Sequence, residues 1–296
     1  MKYHIYLTLF SIIASLPFCI LYGLSDALYF ILYYVIHYRR KTVRANLVAS
    51  FPNMTTSQIV AVEKEFYHHL CDIILETIKL LKVSEEEIDK RITMENADII
   101  ENAARDNKAI IIFIGHYCNW EWITALTRRH YALPELSCQI YKPLRDKPFD
   151  RLMLKIRSRF GSVSIPQKKT LRTLLKLKSE RTSFITGFIS DSRPNSKDTQ
   201  DTTIFLNQST TFSPGGEIIG NKMDATFLYL DMEKTDRGHY KFVVKSIVPS
   251  DMSVNYPYTR EYFKMLQQTI ERQPAYWLWS HKRWLFNRKN NNKLDT

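Results

Sequence analysis

The feature that most restricts the fold is a run of six apolar residues, Ala109–Ile114, made mostly of isoleucine. The run is too short for a typical helix, and β-branched residues favour strands. It lacks the polar–apolar alternation of a half-exposed strand, which is typical of a strand covered on both faces in a parallel sheet. Gly115 and His116 follow directly. The sequence therefore predicts a histidine at the carboxyl end of a buried strand.

Further strands alternate with helices along the chain. The predicted strands are Ser137–Tyr141, a short strand near Val163, Ser183–Ile189, Thr226–Met232 and Lys241–Val248. The predicted helices are Ile59–Val83, Trp120 to about Arg129, Pro148–Phe160, Thr170–Ser179 and Tyr258–Arg272. This order predicts an α/β fold in which a mostly parallel central sheet is flanked by helices. Functional sites in such sheets collect at the carboxyl ends of strands, which is where His116 is expected.

The N-terminal segment is strongly hydrophobic, and residues 5–36 contain one formally charged side chain, Asp26. Ile5–Tyr22 alone is an uncharged run of 18 residues, near the shortest length that crosses a bilayer. Pro17 interrupts this run and tends to kink or break a helix. We therefore expect a hydrophobic helical membrane anchor. A single span, two helices within one leaflet and a buried helical hairpin remain open as its arrangement.

Basic residues follow the hydrophobic segment at positions 39, 40, 41 and 44. Such flanks stay on the cytoplasmic side of a membrane, so the remainder of the chain is expected there. Over the whole chain the net charge is +12, which favours anionic partners. Nucleic acid is not expected among them, because no helix-turn-helix, zinc-finger or RNA-recognition motif is present. The four cysteines show no metal-ligand spacing, so no metal site is expected.

His116 and Glu121 form the candidate catalytic pair. They are five residues apart, which on one regular helix would turn their side chains about 140° from each other. They can meet if His116 lies in the turn after the strand and Glu121 in the first turn of a helix capped by Asn119. A carboxylate on one imidazole nitrogen fixes the tautomer and lets the other nitrogen act as a general base on a hydroxyl. Cys118 is a rival nucleophile, but it lies only two positions from His116.

Several blocks of the sequence resemble one family in order along the chain. They are Arg44–Leu47 with Phe51-Pro52, Gly115–Glu121, Tyr141–Pro143, Arg157 with Arg159–Gly161, Asp191, and Pro274–Trp284. Together they resemble the late lipid A biosynthesis acyltransferases, the lauroyl and myristoyl transferases of the lysophospholipid acyltransferase superfamily. The resemblance covers residues 1–286. It divides the chain into an anchor at residues 1–45, an acyltransferase domain at residues 46–286 and a polar tail at residues 287–296.

The resemblance implies a reaction and a set of roles. His116 would be the general base and Glu121 the residue that orients it, without a cofactor. The donor would be an acyl carrier protein thioester, and the acceptor a hydroxyl on an acyl chain of a lipid A precursor at the inner membrane. The substrate-binding residues would be Asn119, Lys142, Arg157, Arg159 and Asp191, with Arg157 and Arg159 able to exchange roles. Basic residues between Lys142 and Lys178 would meet the acidic carrier protein or lipid phosphates.

Other interpretations remain open at this point. The same chemistry could act on a lysophospholipid or an acylated amino-acid lipid, and an inactive membrane-attached adaptor would need neither His116 nor Glu121. The aromatic residues of Pro274–Trp284 are expected to pack against the domain, with an interfacial aromatic belt as the alternative.

Overall fold

The central element of the fold is a seven-stranded sheet. The computed structural model describes residues 1–105, 109–128, 134–195 and 198–284; the predicted tail at residues 287–296 lies outside these ranges. The strand order is β1-β9-β8-β2-β5-β3-β4. The strands are β1 Ile92–Glu95, β2 Ile110–Ile114, β3 Leu136–Tyr141, β4 Val163–Pro166, β5 Phe184–Ile189, β8 Thr226–Asp236 and β9 His239–Ser246.

The sheet is mostly parallel, as predicted. The antiparallel pair is β8 with β9, which are joined by a tight turn, while β2 runs parallel to both of its neighbours, β5 and β8. All five residues of β2 are buried, because helices cover both faces of a sheet of this kind. The prediction that this apolar run forms a strand covered on both faces is therefore confirmed.

Most predicted helices are present, with shifted ends. The helices are α1 Lys2–Ser15, α2 Phe18–Phe30, α3 Arg40–Ser50, α4 Thr56–Lys79, α5 Glu85–Arg91, α6 Asp98–Arg105, α7 Lys147–Arg157, α8 Thr170–Ser179, α9 Gly215–Met223 and α10 Pro257–Arg272. The helix predicted after Asn119 is a 3-10 helix, Trp120–Arg128. The sequence did not predict β1, α3, α5, α6, α9 or the separate hairpin of β6 Asp201–Phe205 and β7 Gln208–Phe212.

The N-terminal helices form a hairpin that packs on the domain. The chain is extended at Leu16 and Pro17 between α1 and α2, and α2 continues into a π-helical turn, Ile31–Val35. Phe18–Val35 is long and apolar enough to cross a membrane, and about a fifth of it is buried. One face of the hairpin packs against α4, and large apolar side chains remain exposed on the other. The predicted boundary at residue 45 falls within α3.

Polar contacts also fasten this hairpin to the domain. Ser25 donates a hydrogen bond to Asp72 of α4 at 2.7 Å, and the guanidinium of Arg237, in the β8–β9 turn, bridges Asp72 and Asp26. Asp72 is almost fully buried, so these contacts satisfy a carboxylate that would otherwise be costly to bury. The charged residue within the hydrophobic segment therefore faces the domain.

Candidate active site

The site forms where two neighbouring parallel strands end. Ile114 of β2 is aligned with Ile189 of β5, so residues two positions later on each chain segment come side by side. These residues are His116 and Asp191. The imidazole Nδ1 lies 2.6 Å from Asp191 Oδ1, and the backbone N–H of His116 donates to Asp191 Oδ2 at 2.8 Å.

Asp191 is a buried support for His116. Its side chain is 1% exposed, against 20% for His116, and the indole N–H of Trp277 donates to its Oδ2 at 2.8 Å. The carboxylate thus accepts bonds from the imidazole, a backbone amide and an indole. Asp191 was predicted to bind substrate; in the structure its carboxylate is buried and bonded to His116 and Trp277.

The loop that carries His116 is held by the C-terminal segment. The backbone N–H of Leu278 donates to the carbonyl of His116, and the N–H of Cys118 donates to the carbonyl of Tyr276, both at 3.0 Å. Behind the loop, α10 approaches so closely that a Cβ on Gly115 would lie 2.6 Å from Leu266 Cδ1. The aromatic residues of the C-terminal block are buried. This confirms that they pack against the domain, and they also position the active-site loop.

Glu121 contacts a different residue from the one predicted. Its carboxylate pairs with the guanidinium of Arg157, with Oε2 2.8 Å from Nε and Oε1 2.5 Å from Nη2. The sequence predicted this carboxylate on the imidazole of His116, but Asp191 occupies Nδ1 instead. The physical reason is that the 3-10 helix turns Glu121 towards the last residue of α7. Arg157 offers the two-pronged geometry that a carboxylate accepts well.

The electrostatics of the site follow from these two pairs. Burial lowers the pKa of His116, but Asp191 and then Glu121 raise it, and the net direction is upward. Burial raises the pKa of Asp191, yet the imidazole and the three hydrogen bonds hold it well below its usual range. Asp191 is therefore a carboxylate at neutral pH. The neutral imidazole then carries its proton on Nδ1, which leaves Nε2 as the basic nitrogen.

A large cavity opens beside this imidazole. Its volume is about 1060 Å³, and His116, Glu121 and Arg157 all line it. The deeper walls are mostly apolar and come from the sheet and the 3-10 helix; they include Ile112, Ile114, Leu126, Ile140 and Leu230. A volume at the upper end of the usual range for ligand sites can accommodate a long flexible substrate.

Of the other predicted substrate-binding residues, two line the cavity and two do not. Lys142 and Arg157 line the cavity. Arg159 instead donates to the carbonyl of Leu80 at 2.9 Å and lies over the ring of Phe160. Asn119 is fully buried, and its amide donates to Glu76 Oε2 at 2.6 Å. Neither Arg159 nor Asn119 is among the residues that line the cavity, so their contact with substrate stays a prediction.

Cys118 does not fit the role of a nucleophile. Its side chain is fully buried, and burial raises the pKa of the thiol well above its usual value. A thiol needs access and thiolate character to react. Across the described ranges, no three His, Cys, Asp or Glu side chains are grouped so that they could hold a metal ion.

Two contributors to the site were not found from the sequence. Trp277 bonds Asp191, and the imidazole of His281 lies 5.4 Å from that of His116, between ring centres, on the cavity wall. Burial, and then the neighbouring His116, lower the pKa of His281. Both residues belong to the terminal block that the sequence assigned to packing. The presence of a histidine among the tryptophans of that block was the sequence feature that could have indicated a role in the site.

Comparison with known proteins identifies the family of the chain. No curated protein matches the chain significantly. The sequence profile of a family described as bacterial lipid A biosynthesis acyltransferase matches residues 1–286, which is nearly the whole chain. The chain therefore belongs to the bacterial lipid A biosynthesis acyltransferase family.

Proposed function

We propose that the protein transfers a fatty acyl group from an acyl carrier protein thioester to the hydroxyl of an acyl chain on a lipid A precursor, with His116 as general base. The observation that carries this proposal is the bond between His116 Nδ1 and the buried Asp191, at 2.6 Å, beside an apolar cavity. It leaves Nε2 to take a proton from an alcohol.

The reaction needs no nucleophile from the protein. His116 Nε2 removes the proton as the acceptor oxygen attacks the thioester carbon, and Asp191 stabilises the imidazolium that forms. The tetrahedral intermediate then collapses by breaking the carbon–sulfur bond. The departing thiolate takes the proton back from His116, which gives the ester and the free carrier thiol.

Arg157 is the proposed partner of the developing oxyanion. Glu121 accepts bonds from two of its nitrogens, and a guanidinium has five N–H donors. Arg157 lines the cavity, so its N–H groups that do not bond Glu121 are available to a substrate there. Fixed donors of this kind stabilise charge that develops in a transition state. Glu121 thus acts through Arg157, and through its field on His116, rather than by holding the imidazole.

The cavity offers a location for the acyl donor. The apolar depth of the cavity suits a fatty acyl chain, which gains about 0.8 kcal/mol for each methylene removed from water. Lys142 and Leu144 lie at the cavity rim, close to the exposed Arg145. A basic rim attracts the acidic carrier protein. We assign the donor to this side of the cavity.

The hydrophobic hairpin is the proposed membrane contact, on the cytoplasmic face of the inner membrane. Exposed apolar side chains on α1 and α2 include Ile5, Leu9, Ile12 and Leu24. Asp26 is tied to Arg237 on the domain, which would oppose removal of α2 into a bilayer as a separate span. An arrangement within one leaflet keeps this ion pair and still buries the apolar face.

The test is transfer from a radiolabelled acyl carrier protein thioester to a lipid A precursor, followed by mass spectrometry of the product. Wild-type protein should add one acyl chain, and His116→Ala should lower the rate by about 10²- to 10⁴-fold while remaining folded by circular dichroism. Transfer to a lysophospholipid and not to the lipid A precursor would contradict the assigned acceptor. Equal rates for the wild-type protein and His116→Ala would show that His116 takes no part in the reaction.

A further inference from the structure

A second cavity lies along α3, outside the reaction cavity. It has a volume of about 970 Å³, and its charged walls are Arg39, Arg40, Lys41 and Arg44, with Glu63 of α4 at its base. Four cations against one carboxylate give 4 − 1 = +3, before any contribution from His37, which also lines it. We call this cavity the α3 groove. Its charge suits a ligand that carries more than one negative charge.

Two of the arginines in the α3 groove are held in place. The carboxylate of Glu63 is fully buried and accepts from Arg40 Nε at 3.2 Å and from Arg44 Nε. The guanidinium of Arg40 also lies over the ring of Tyr33, 4.2 Å from its centre. Arg40 also donates from Nη1 to the carbonyl of Tyr33 and from Nη2 to its hydroxyl, both at 3.4 Å. A guanidinium has five N–H donors, so each of these two arginines is anchored and still keeps donors for another group. Donors fixed before binding lose less entropy when a ligand arrives.

Arg39 connects the α3 groove with the reaction cavity, because it lines both. Its backbone is in the left-handed region, with φ of 53°, and its Nη1 donates to the carbonyl of Ser280 at 3.0 Å. The next residue, His281, faces His116 across the reaction cavity. The α3 groove and the reaction cavity are therefore neighbours that share Arg39.

The surroundings of the α3 groove favour a lipid over an acidic protein. Val35 and Ile36, just before the groove, are 61% and 59% exposed, and Val48 on its wall is 52% exposed. Exposed aliphatic residues beside a basic surface match a molecule with acyl chains and a phosphate at the membrane interface. An acidic protein surface would gain little from these aliphatic side chains.

From these observations we infer that the α3 groove binds a phosphate group of the acceptor lipid and so holds its headgroup while the reacting hydroxyl enters the next cavity. Arg39, Arg40, Lys41 and Arg44 are the proposed phosphate ligands. The inference rests on the proposed function for the identity of this lipid. It assigns the acceptor to the α3 side of the reaction cavity and leaves the Lys142 side to the donor.

Lys41→Glu is the most informative variant, because Lys41 is exposed. Arg40 and Arg44 are unsuitable, since their loss would leave the buried Glu63 carboxylate under-compensated. The matched control is Lys222→Glu, which makes the same charge change at an exposed position on α9 that lines neither cavity. Transfer is measured in micelles of a non-ionic detergent, with a lipid A precursor and with the same lipid after removal of its phosphates.

We expect Lys41→Glu to raise KM for the phosphorylated acceptor by about tenfold or more, with less than a twofold change for the dephosphorylated acceptor. The control should leave both values unchanged. An equal rise in KM for the two acceptors would overturn the inference. So would a rise confined to the acyl carrier protein, which would mark the α3 groove as a protein-docking surface.

A binding measurement separates this inference from the proposed function. The phosphorylated lipid is titrated into His116→Ala and into the His116→Ala, Lys41→Glu double variant, where no turnover complicates the result. If wild-type protein acylates neither acceptor, the proposed function fails, yet tenfold weaker binding by the double variant would still support the α3 groove as a phosphate site. Equal binding by both variants would contradict it.

Discussion

Two polar clusters in the protein are similar in composition and differ in what they face. The catalytic cluster consists of His116, Asp191, Glu121 and Arg157. The hairpin cluster consists of Ser25, Asp26, Asp72 and Arg237. Each contains a nearly fully buried aspartate that accepts a hydrogen bond of 2.6 to 2.7 Å. Each also contains an arginine with a carboxylate partner.

The difference lies in access to a cavity. In the catalytic cluster, His116, Glu121 and Arg157 line the reaction cavity, and donors or acceptors remain for substrate. No member of the hairpin cluster lines either of the two cavities described above. Its charges satisfy one another and fix α2 to the domain. Buried charge alone therefore does not indicate a site, whereas buried charge that supports a group at a cavity wall does.

The comparison predicts that Asp191→Asn has the largest effect on activity. An amide cannot hold the Nδ1–H tautomer in the same way, so kcat/KM should fall by about 10³- to 10⁴-fold. The measurement is the transfer assay, with circular dichroism as the check on folding. Asp89→Asn, at an exposed position on α5, is the control and should change the rate by less than twofold. A wild-type rate for Asp191→Asn would show that the two clusters do not differ as described.

Arg237→Ala should act on stability instead. It removes the main partner of the buried Asp72 and leaves Lys234, 3.6 Å away, and Ser25. The free energy of unfolding should fall by about 2–3 kcal/mol, measured by urea denaturation. Lys241→Ala removes surface ion pairs with Glu233 and Glu95 and should lower the free energy of unfolding much less, because solvent screens exposed ion pairs. A large loss of kcat in folded Arg237→Ala protein would contradict the structural role.

Glu121→Gln sharpens the comparison within the catalytic cluster. The substitution keeps the shape of the side chain but leaves the Arg157 charge without its partner, so the pKa of His116 should fall. We expect kcat/KM to decrease by about tenfold, less than for Asp191→Asn, because the imidazole keeps its Nδ1 bond. Losses as large as those of Asp191→Asn would instead make Glu121 the orienting residue, as the sequence first indicated.

The smallest predicted effect concerns the cavity rim. Reversing the charges of Lys142 and Arg145 together should raise KM for the acyl carrier protein several-fold at low salt and reduce its salt dependence. The value of kcat at saturating donor should change little. Reversal of Lys90 and Lys222, which lie on α5 and α9, is the control. An unchanged KM would show that the acyl carrier protein does not bind at this rim.

The sequence predicted the centre of the fold better than its edges. The strand β2 is apolar and buried throughout, and β5 and β8 each contain a largely apolar buried stretch. Such stretches have few alternative structures. The hairpin of β6 and β7 is rich in threonine and serine, and β1 has only four residues at the edge of the sheet. Neither region has the continuous hydrophobicity on which the prediction relied.

The sequence also predicted the candidate site only in part. His116 was found because a strand end precedes it, which is a local property. Its partner was chosen as the nearest carboxylate along the chain, but the partner is set by the register of β2 with β5, whose residues are 75 positions apart at His116 and Asp191. Strand order depends on the packing of the whole sheet. Periodicity within each segment could not reveal it.

The most direct test of the account is the pH dependence of kcat/KM. A general base must be neutral to act, so activity should rise as pH increases through the pKa of His116, which Asp191 raises above its ordinary value. In Asp191→Asn the residual activity should therefore rise at lower pH than in the wild type, with a smaller displacement in Glu121→Gln. If the rise does not move in Asp191→Asn but moves in Glu121→Gln, the imidazole is not controlled by Asp191, and the proposed mechanism is wrong.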